Sequence, residues 1–219
     1  MTEEQKYSAT YKKISQFGPK IGVIKLNDSV VKDLIGLTDN ILKDDNKISH
    51  GPYLGGQIRE ETIIDLDKLK EKSLSNFFNE TLKHHALSNL NTERKLLTKI
   101  TSMWIVSQRE GEYNPVHWHE GCTLSAVMYL KIPEYIPRNI PGKNEKDGMI
   151  TFINNNPSSP WASMEPPVIS FQPEVGDMFI FPSRLMHCVY PFIGEGERRS
   201  VSLNAVHYFD DEKTRKIYL

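Results

Sequence analysis

The chain has 219 residues, with 27 Lys+Arg against 28 Asp+Glu, a formal net charge of −1 and 38% hydrophobic residues. At roughly 150 residues per domain it is read as a single domain over 1–219, and its charge balance argues against nucleic acid and anionic membranes as partners. Met1–Lys6 has neither a basic nor an apolar leader region, and no apolar run approaches the roughly 18 residues of a membrane span. Cys122 and Cys188 make no disulfide framework, so a cytoplasmic location is the expectation. The oligomeric state has no signal in the sequence.

Proline is divided unevenly: Pro19 and Pro52 lie in the first hundred residues, and the other eleven fall between Pro115 and Pro191. Because proline interrupts helices and ladders, residues 1–97 are expected to be mostly helical support and residues 98–219 a core of short strands and turns. Ile21–Leu26 reads as a strand, followed by a cap at Asn27, Asp28 or Ser29. Val31, Leu34, Ile35, Thr38, Ile41 and Leu42 then recur at helical spacing. Gly51-Pro52 and Gly55-Gly56 mark a loop. A second helix is expected from near Asp65 or Asp67 to about Leu90, with Leu74, Phe77, Phe78 and Leu82 as its buried stripe. Thr98–Gln108, Thr123–Ile132, Met149–Ile153, Met178–Phe181 and Arg198–Tyr208 read as strands. Residues 133–148 read as a loop, either a solvated insertion or a lid, and 154–167, which contains Trp161, as another connection. The expected fold class is mainly β with N-terminal helices (α+β): a jelly-roll, cupin-like barrel with helices packed on one sheet.

Seven histidines include the pair His117-Trp118-His119. On a strand, residues i and i+2 share a face, so two imidazoles can meet one metal ion. His187 lies about seventy residues on, after another strand and turn. Strand ends from distant parts of a barrel meet at one rim, and three nitrogen ligands leave open positions on a metal. Alternatively, the pair is simply exposed or hydrogen-bonded. In Arg198–Asn204, Arg198, Ser200, Ser202 and Asn204 share one face, and Arg199, Val201 and Leu203 the other. Arg198 with Ser200 could bind a carboxylate through a bidentate guanidinium. Arg199 stays open as the anchor if the strand phase is shifted. His84-His85 reads as polar helix surface, and His207 as structural.

Together Tyr113-x-Pro115-x-His117-x-His119, Leu124–Leu130, Gly148-x-Ile150-x-Phe152, Gly176–Ser183 through His187, and Arg198-x-Ser200 resemble the Fe(II)- and 2-oxoglutarate-dependent oxygenase superfamily. Within it they resemble the prolyl-4-hydroxylase-like members and the small oxygenases of bacteria and their viruses. The resemblance implies a double-stranded β-helix core, Fe(II) as metal and 2-oxoglutarate as co-substrate. It places the catalytic metal on His117, His119 and His187, and the keto acid's far carboxylate on Arg198 and Ser200, with Ser125 or Tyr129 assisting. His119 stands where the superfamily commonly has aspartate. The implied reaction couples oxidative decarboxylation of 2-oxoglutarate to succinate with hydroxylation of an unidentified substrate, molecular oxygen being the third reactant. Two alternatives stay open: a non-catalytic cupin-like ligand-binding module, and a three-histidine dioxygenase that uses no keto acid.

Overall fold

The computed structural model describes residues 9–14, 18–71, 73–90, 92, 94–143, 145–154 and 166–211. Its elements in chain order are β1 (Ala9–Ile14), β2 (Ile21–Leu26), α1 (Asp28–Leu42), β3 (Glu60–Ile63), α2 (Asp67–Lys70), α3 (Leu74–Leu90), β4 (Leu96–Gln108), β5 (Asn114–His117), β6 (Leu124–Lys131), β7 (Ile150–Ile153), β8 (Val168–Phe171), β9 (Asp177–Pro182), β10 (Met186–Val189) and β11 (Arg198–Phe209). Among the described residues the strands form two antiparallel sheets. The larger runs β1-β2-β9-β6-β11-β4-β3 and the smaller β5-β10-β7-β8. No helix is long and apolar enough to cross a membrane.

The side-chain pattern explains this layering. β6 is central and buried on both faces, so it reads as a nearly unbroken apolar run. Its Leu124, Ala126 and Met128 join a core with Val30, Leu34 and Ile41 of α1 and Leu74, Phe78 and Leu82 of α3. Its Val127 and Tyr129 point the other way, into a second core with Phe152, Phe179 and Phe181 between the sheets. Burying each such large apolar side chain contributes about 1.5–3 kcal/mol. Helix α1 begins where the side-chain oxygen of Asn27 accepts from the Val30 N–H at 3.0 Å, the N-cap use of asparagine.

The N-terminal hundred residues hold strands beside the helices. β1, β2 and β3 all join the larger sheet, with β2 beside β9 and β3 beside β4. The strand β2 was legible; β3 (Glu-Glu-Thr-Ile) was not, because it carries two acids and is only four residues long. The expected second helix is broken into α2 and α3 at Ser73, whose φ of 59° lies in the left-handed region. His85 is not surface either: it is 2% exposed, and its ring lies on Gly22 of β2, where a side chain would collide with the imidazole. Its Nδ1 is 3.1 Å from the Tyr11 hydroxyl.

Candidate metal centre

Two of the three histidines face each other across a strand pair. His117 is the last residue of β5 and lies directly opposite His187 of β10 in the antiparallel register. Their ring centroids are 4.2 Å apart. His119 reaches the same place by a different route from the strand alternation expected of His117 and His119. The strand ends at His117, and His119 lies in the turn beyond, held by its N–H donating to the Ser183 carbonyl at 2.9 Å. Its Nε2 comes within 3.3 Å of His187 Nε2. One ligand nitrogen from each ring lies within 4.8 Å of the other two.

The surrounding groups set which nitrogen is free. His117 Nδ1 is 2.7 Å from the Pro115 carbonyl and His187 Nδ1 is 2.9 Å from the Leu185 carbonyl. A carbonyl only accepts, so each Nδ1 carries the hydrogen and each Nε2 keeps its lone pair. Trp104 stacks on the His119 ring at 5.8 Å, and Phe181 packs edge-on against His187 at 4.7 Å. Burial holds the imidazolium form of all three down, and the mutual repulsion of the rings adds to this for His119, pushed down to about 4, and for His187. Neutral imidazoles with converging lone pairs suit a borderline transition metal.

The cavity floor carries the opposite need. Arg198 of β11 is 1% exposed. Its Nη1 donates to Gln108 Oε1 at 3.0 Å, and its guanidinium lies 4.8 Å over the Tyr129 ring. Gln108 is itself fixed, its Nε2 donating to the Glu112 carbonyl at 2.5 Å. Among the described residues Arg198 Nε and Nη2 have no hydrogen-bond partner, and neither do the buried hydroxyls of Tyr129 and Tyr135. Burial pushes the Tyr129 hydroxyl up to about 12, so it stays a donor. A buried charged donor left unmatched is costly, at more than the ~1–3 kcal/mol of a neutral group. Here Arg198 lines one cavity with His117, His119, His187, Tyr129, Ser200 and Ser202. What this wall lacks is an anion, and a carboxylate matches a guanidinium edge in shape and charge.

The strand phase is that of the Arg198 reading. Arg199 points to the other face, where it bonds to Asp39 and Thr38 of α1 and to Glu197. Ser125 lies on the cavity side of β6, but its hydroxyl donates to Asn204 Oδ1 at 2.8 Å, behind His119, and it does not line the cavity. Glu120 is exposed and shares its carboxylate with Trp118 and Arg184. His207 bonds to Thr123. Trp161 lies outside the described residues.

Several residues in and around the cavity, Trp104 in its wall and Gln108 and Tyr135 beside Arg198, escaped the sequence reading. Gln108 and Trp104 sit on a strand that was legible, but nothing in its pattern marks them. Tyr135 comes from the 133–148 loop, which the structure pins in place. Arg138 Nε pairs with Asp147 Oδ1 at 2.7 Å, Asp147 Oδ2 accepts from the Ile193 N–H at 2.9 Å, and Ile136 N–H donates to the Ile193 carbonyl at 2.8 Å. Gly148 has φ +68°, and a Cβ there would strike the Tyr135 hydroxyl.

Residues 102–204, just under half of the chain, match a family described as "Putative 2OG-Fe(II) oxygenase". A search of curated proteins finds no match. Among solved structures the chain is similar to a prolyl hydroxylase from Trichoplax adhaerens in complex with a hypoxia inducible factor peptide fragment (17% identity, 91% of this chain and 87% of that one, TM-score 0.54). It is similar to the non-heme alpha ketoglutarate dependent epimerase SnoN from nogalamycin biosynthesis (10%, 95% and 83%, TM-score 0.57). It is also similar to HygX from Streptomyces hygroscopicus with nickel, 2-oxoglutarate and hygromycin B bound (13%, 85% and 82%, TM-score 0.50). At these identities the structures speak for the fold. The match over residues 102–204 agrees with the oxygenase resemblance read from the sequence, and the solved structures agree with its fold.

Proposed function

We propose that the chain, a 2-oxoglutarate- and Fe(II)-dependent oxygenase over its 102–204 segment, folds this segment as a double-stranded β-helix and hydroxylates a C–H bond. In the balanced reaction, substrate R–H, 2-oxoglutarate and O2 give R–OH, succinate and CO2. One oxygen atom enters the new succinate carboxylate and the other the hydroxyl. The observation that carries this reading is the pairing, in one cavity, of three converging neutral imidazoles with a buried guanidinium whose Nε and Nη2 are unmatched.

The residues present fit both groups. His117, His119 and His187 would hold the iron through Nε2 of His117 and His187 and a ring nitrogen of His119. All three are neutral, so the metal keeps its full charge, which favours an anionic chelator. Iron and keto acid together, when bound, supply the oxidising power for attack on C–H. The chain's own work is placement. Arg198, with the Tyr129 and Tyr135 hydroxyls and Ser200, receives the far carboxylate of the keto acid and sets its distance from the histidines. Gln108 and the Tyr129 ring hold Arg198 in one rotamer. Val127, Ile150, Phe181 and Val189 give the cavity an apolar wall that limits water. Carbonyls of Pro115 and Leu185 keep two imidazoles in the ligating tautomer.

The test is product formation. Protein purified without oxygen, loaded with Fe(II) and 2-oxoglutarate and then exposed to O2, should form succinate well above a protein-free blank, and chelation of the metal should abolish it. No succinate above the blank sinks the reading.

A further inference from the structure

Glu61 stands apart from every group used so far. It lies on β3, is 3% exposed, and lines the same cavity as the three histidines and Arg198. It is the one acid among the residues lining that cavity. Among the described residues no Lys, Arg or His forms an ion pair with it, and its carboxylate takes part in no hydrogen bond. The segment leading into β3 passes close to it: a Cβ on Gly56 would lie 2.9 Å from Glu61 Oε1 and within clashing distance of Asn114 Oδ1. The missing side chain of Gly56 lets a carboxylate and an amide oxygen sit side by side at the cavity wall. Asn114 lines the same cavity.

The contrast with Glu112 is informative. That carboxylate is also buried, but it accepts from the backbone N–H groups of Arg59 and Arg109 and lies 3.4 Å from Arg59 Nε. Glu112 is therefore a structural acid with its donors in place. Glu61 has none, and the charge nearest it is Glu112 itself, of the same sign. A buried carboxylate without donors is an expensive feature unless a ligand completes it. The keto acid cannot do so, because its carboxylates are repelled by Glu61 and matched by Arg198.

We infer that Glu61, with Asn114 beside it, is the specificity determinant for the primary substrate and receives a basic nitrogen, an ammonium or guanidinium group, of that substrate. This rests on the oxygenase reading, since the substrate class is that of the same site. Charge supports it as well. With three neutral ligands, Fe(II) and dianionic 2-oxoglutarate cancel, and a cationic group arriving at Glu61 favours its ionised form, which then offsets the charge of Arg198.

The experiment uses matched probe pairs on the anaerobic Fe(II)- and 2-oxoglutarate-loaded enzyme: Nα-acetyl-lysine amide against Nα-acetyl-norleucine amide, and Nα-acetyl-arginine amide against Nα-acetyl-citrulline amide. Binding is read by calorimetry, and the iron–keto acid charge-transfer absorption is recorded on the same samples. In the wild type at least one cationic probe should bind about tenfold or more tightly than its neutral partner. Glu61→Gln should erase that preference while leaving the absorption intact. Gly56→Ala, which presses a methyl group onto both acceptor oxygens, should weaken it too. No preference in either pair, or an equal preference in Glu61→Gln, overturns the inference, and an intact absorption then leaves the oxygenase reading standing. Loss of the absorption in Glu61→Gln would instead make Glu61 part of the iron and keto-acid machinery and overturn it. Absence of the absorption in the wild type overturns both.

Discussion

Two adjacent arginines on β11 do opposite things, and the reason is the alternation of a strand. Arg198 faces the cavity with two unmatched nitrogens, and Arg199 is bonded into α1 and Glu197. Arg198→Ala is therefore expected to raise the Kd for 2-oxoglutarate by about a hundredfold, the scale of a lost charge-assisted bidentate contact at ~1.5–3 kcal/mol, with metal content unchanged. Arg199→Ala should leave that Kd alone and lower stability by about 3 kcal/mol, because Glu197 loses its buried partner. Isothermal titration and urea unfolding of both variants check the pair, and the reverse pattern would reverse the assignment. Glu61 supplies a pH-dependent prediction. Burial first, then Glu112, raise its carboxyl from 4.5 to about 7. Protonation is thus favoured by folding, so its contribution is complete below about pH 4.5, falls as pH rises, and is gone above about pH 7. On metal-free protein, Glu61→Gln should gain about 2 kcal/mol over the wild type at pH 8 relative to pH 5, read by urea unfolding at both values. A gap that does not change with pH contradicts it. These two cases also mark what is legible at this scale. Arg198 could be read because period-two alternation is a property of the sequence. Glu61 could not, because an acid on a four-residue strand acquires meaning only from what it lacks around it.

At the scale of elements, long strands buried on two faces announced themselves and several short strands did not. β6 and β9 are mostly apolar because each serves two cores, and both were legible. β5, β8 and β10 are four residues long, and β5 carries a proline. Yet β5 and β10 bring His117 and His187 opposite each other, so the elements that position the metal ligands were the least visible. The 133–148 loop is exposed over 136–143 and tied down near its ends. Its Arg138–Asp147 pair and its bonds to Ile193 make it a bracket for Tyr135. Gly148→Ala places a Cβ on the Tyr135 hydroxyl at a positive φ. It should raise the Kd for 2-oxoglutarate about as much as Tyr135→Phe does, several-fold, with the histidine site still loading metal. Unchanged keto-acid affinity in both variants would remove Tyr135 from the co-substrate wall.

For the whole molecule, the boundary near residue one hundred is one of composition and not of architecture. β2 hydrogen-bonds to β9, β3 to β4, and α1 and α3 close one face of the larger sheet. The helical and strand-rich parts therefore share one core, and unfolding of the metal-free protein should be a single cooperative transition, with circular dichroism and tryptophan fluorescence coincident. Two separated transitions would show that residues 1–97 fold apart from the barrel. The layered arrangement was readable from the proline distribution and the apolar stripes, since both reflect local constraints. The contribution of the N-terminal strands was not, since pairing partners far apart in sequence leave no local pattern. The molecule as a whole presents three neutral imidazoles and one unmatched guanidinium to a single cavity, and the claim that they act together can be tested in one titration. Fe(II) and 2-oxoglutarate are added without oxygen to the wild type and to His187→Ala, and the visible charge-transfer absorption is followed. The expected result is an absorption in the wild type that saturates at one keto acid per chain and is missing in His187→Ala. A wild type that shows none, or a variant that shows the same absorption, would contradict the site.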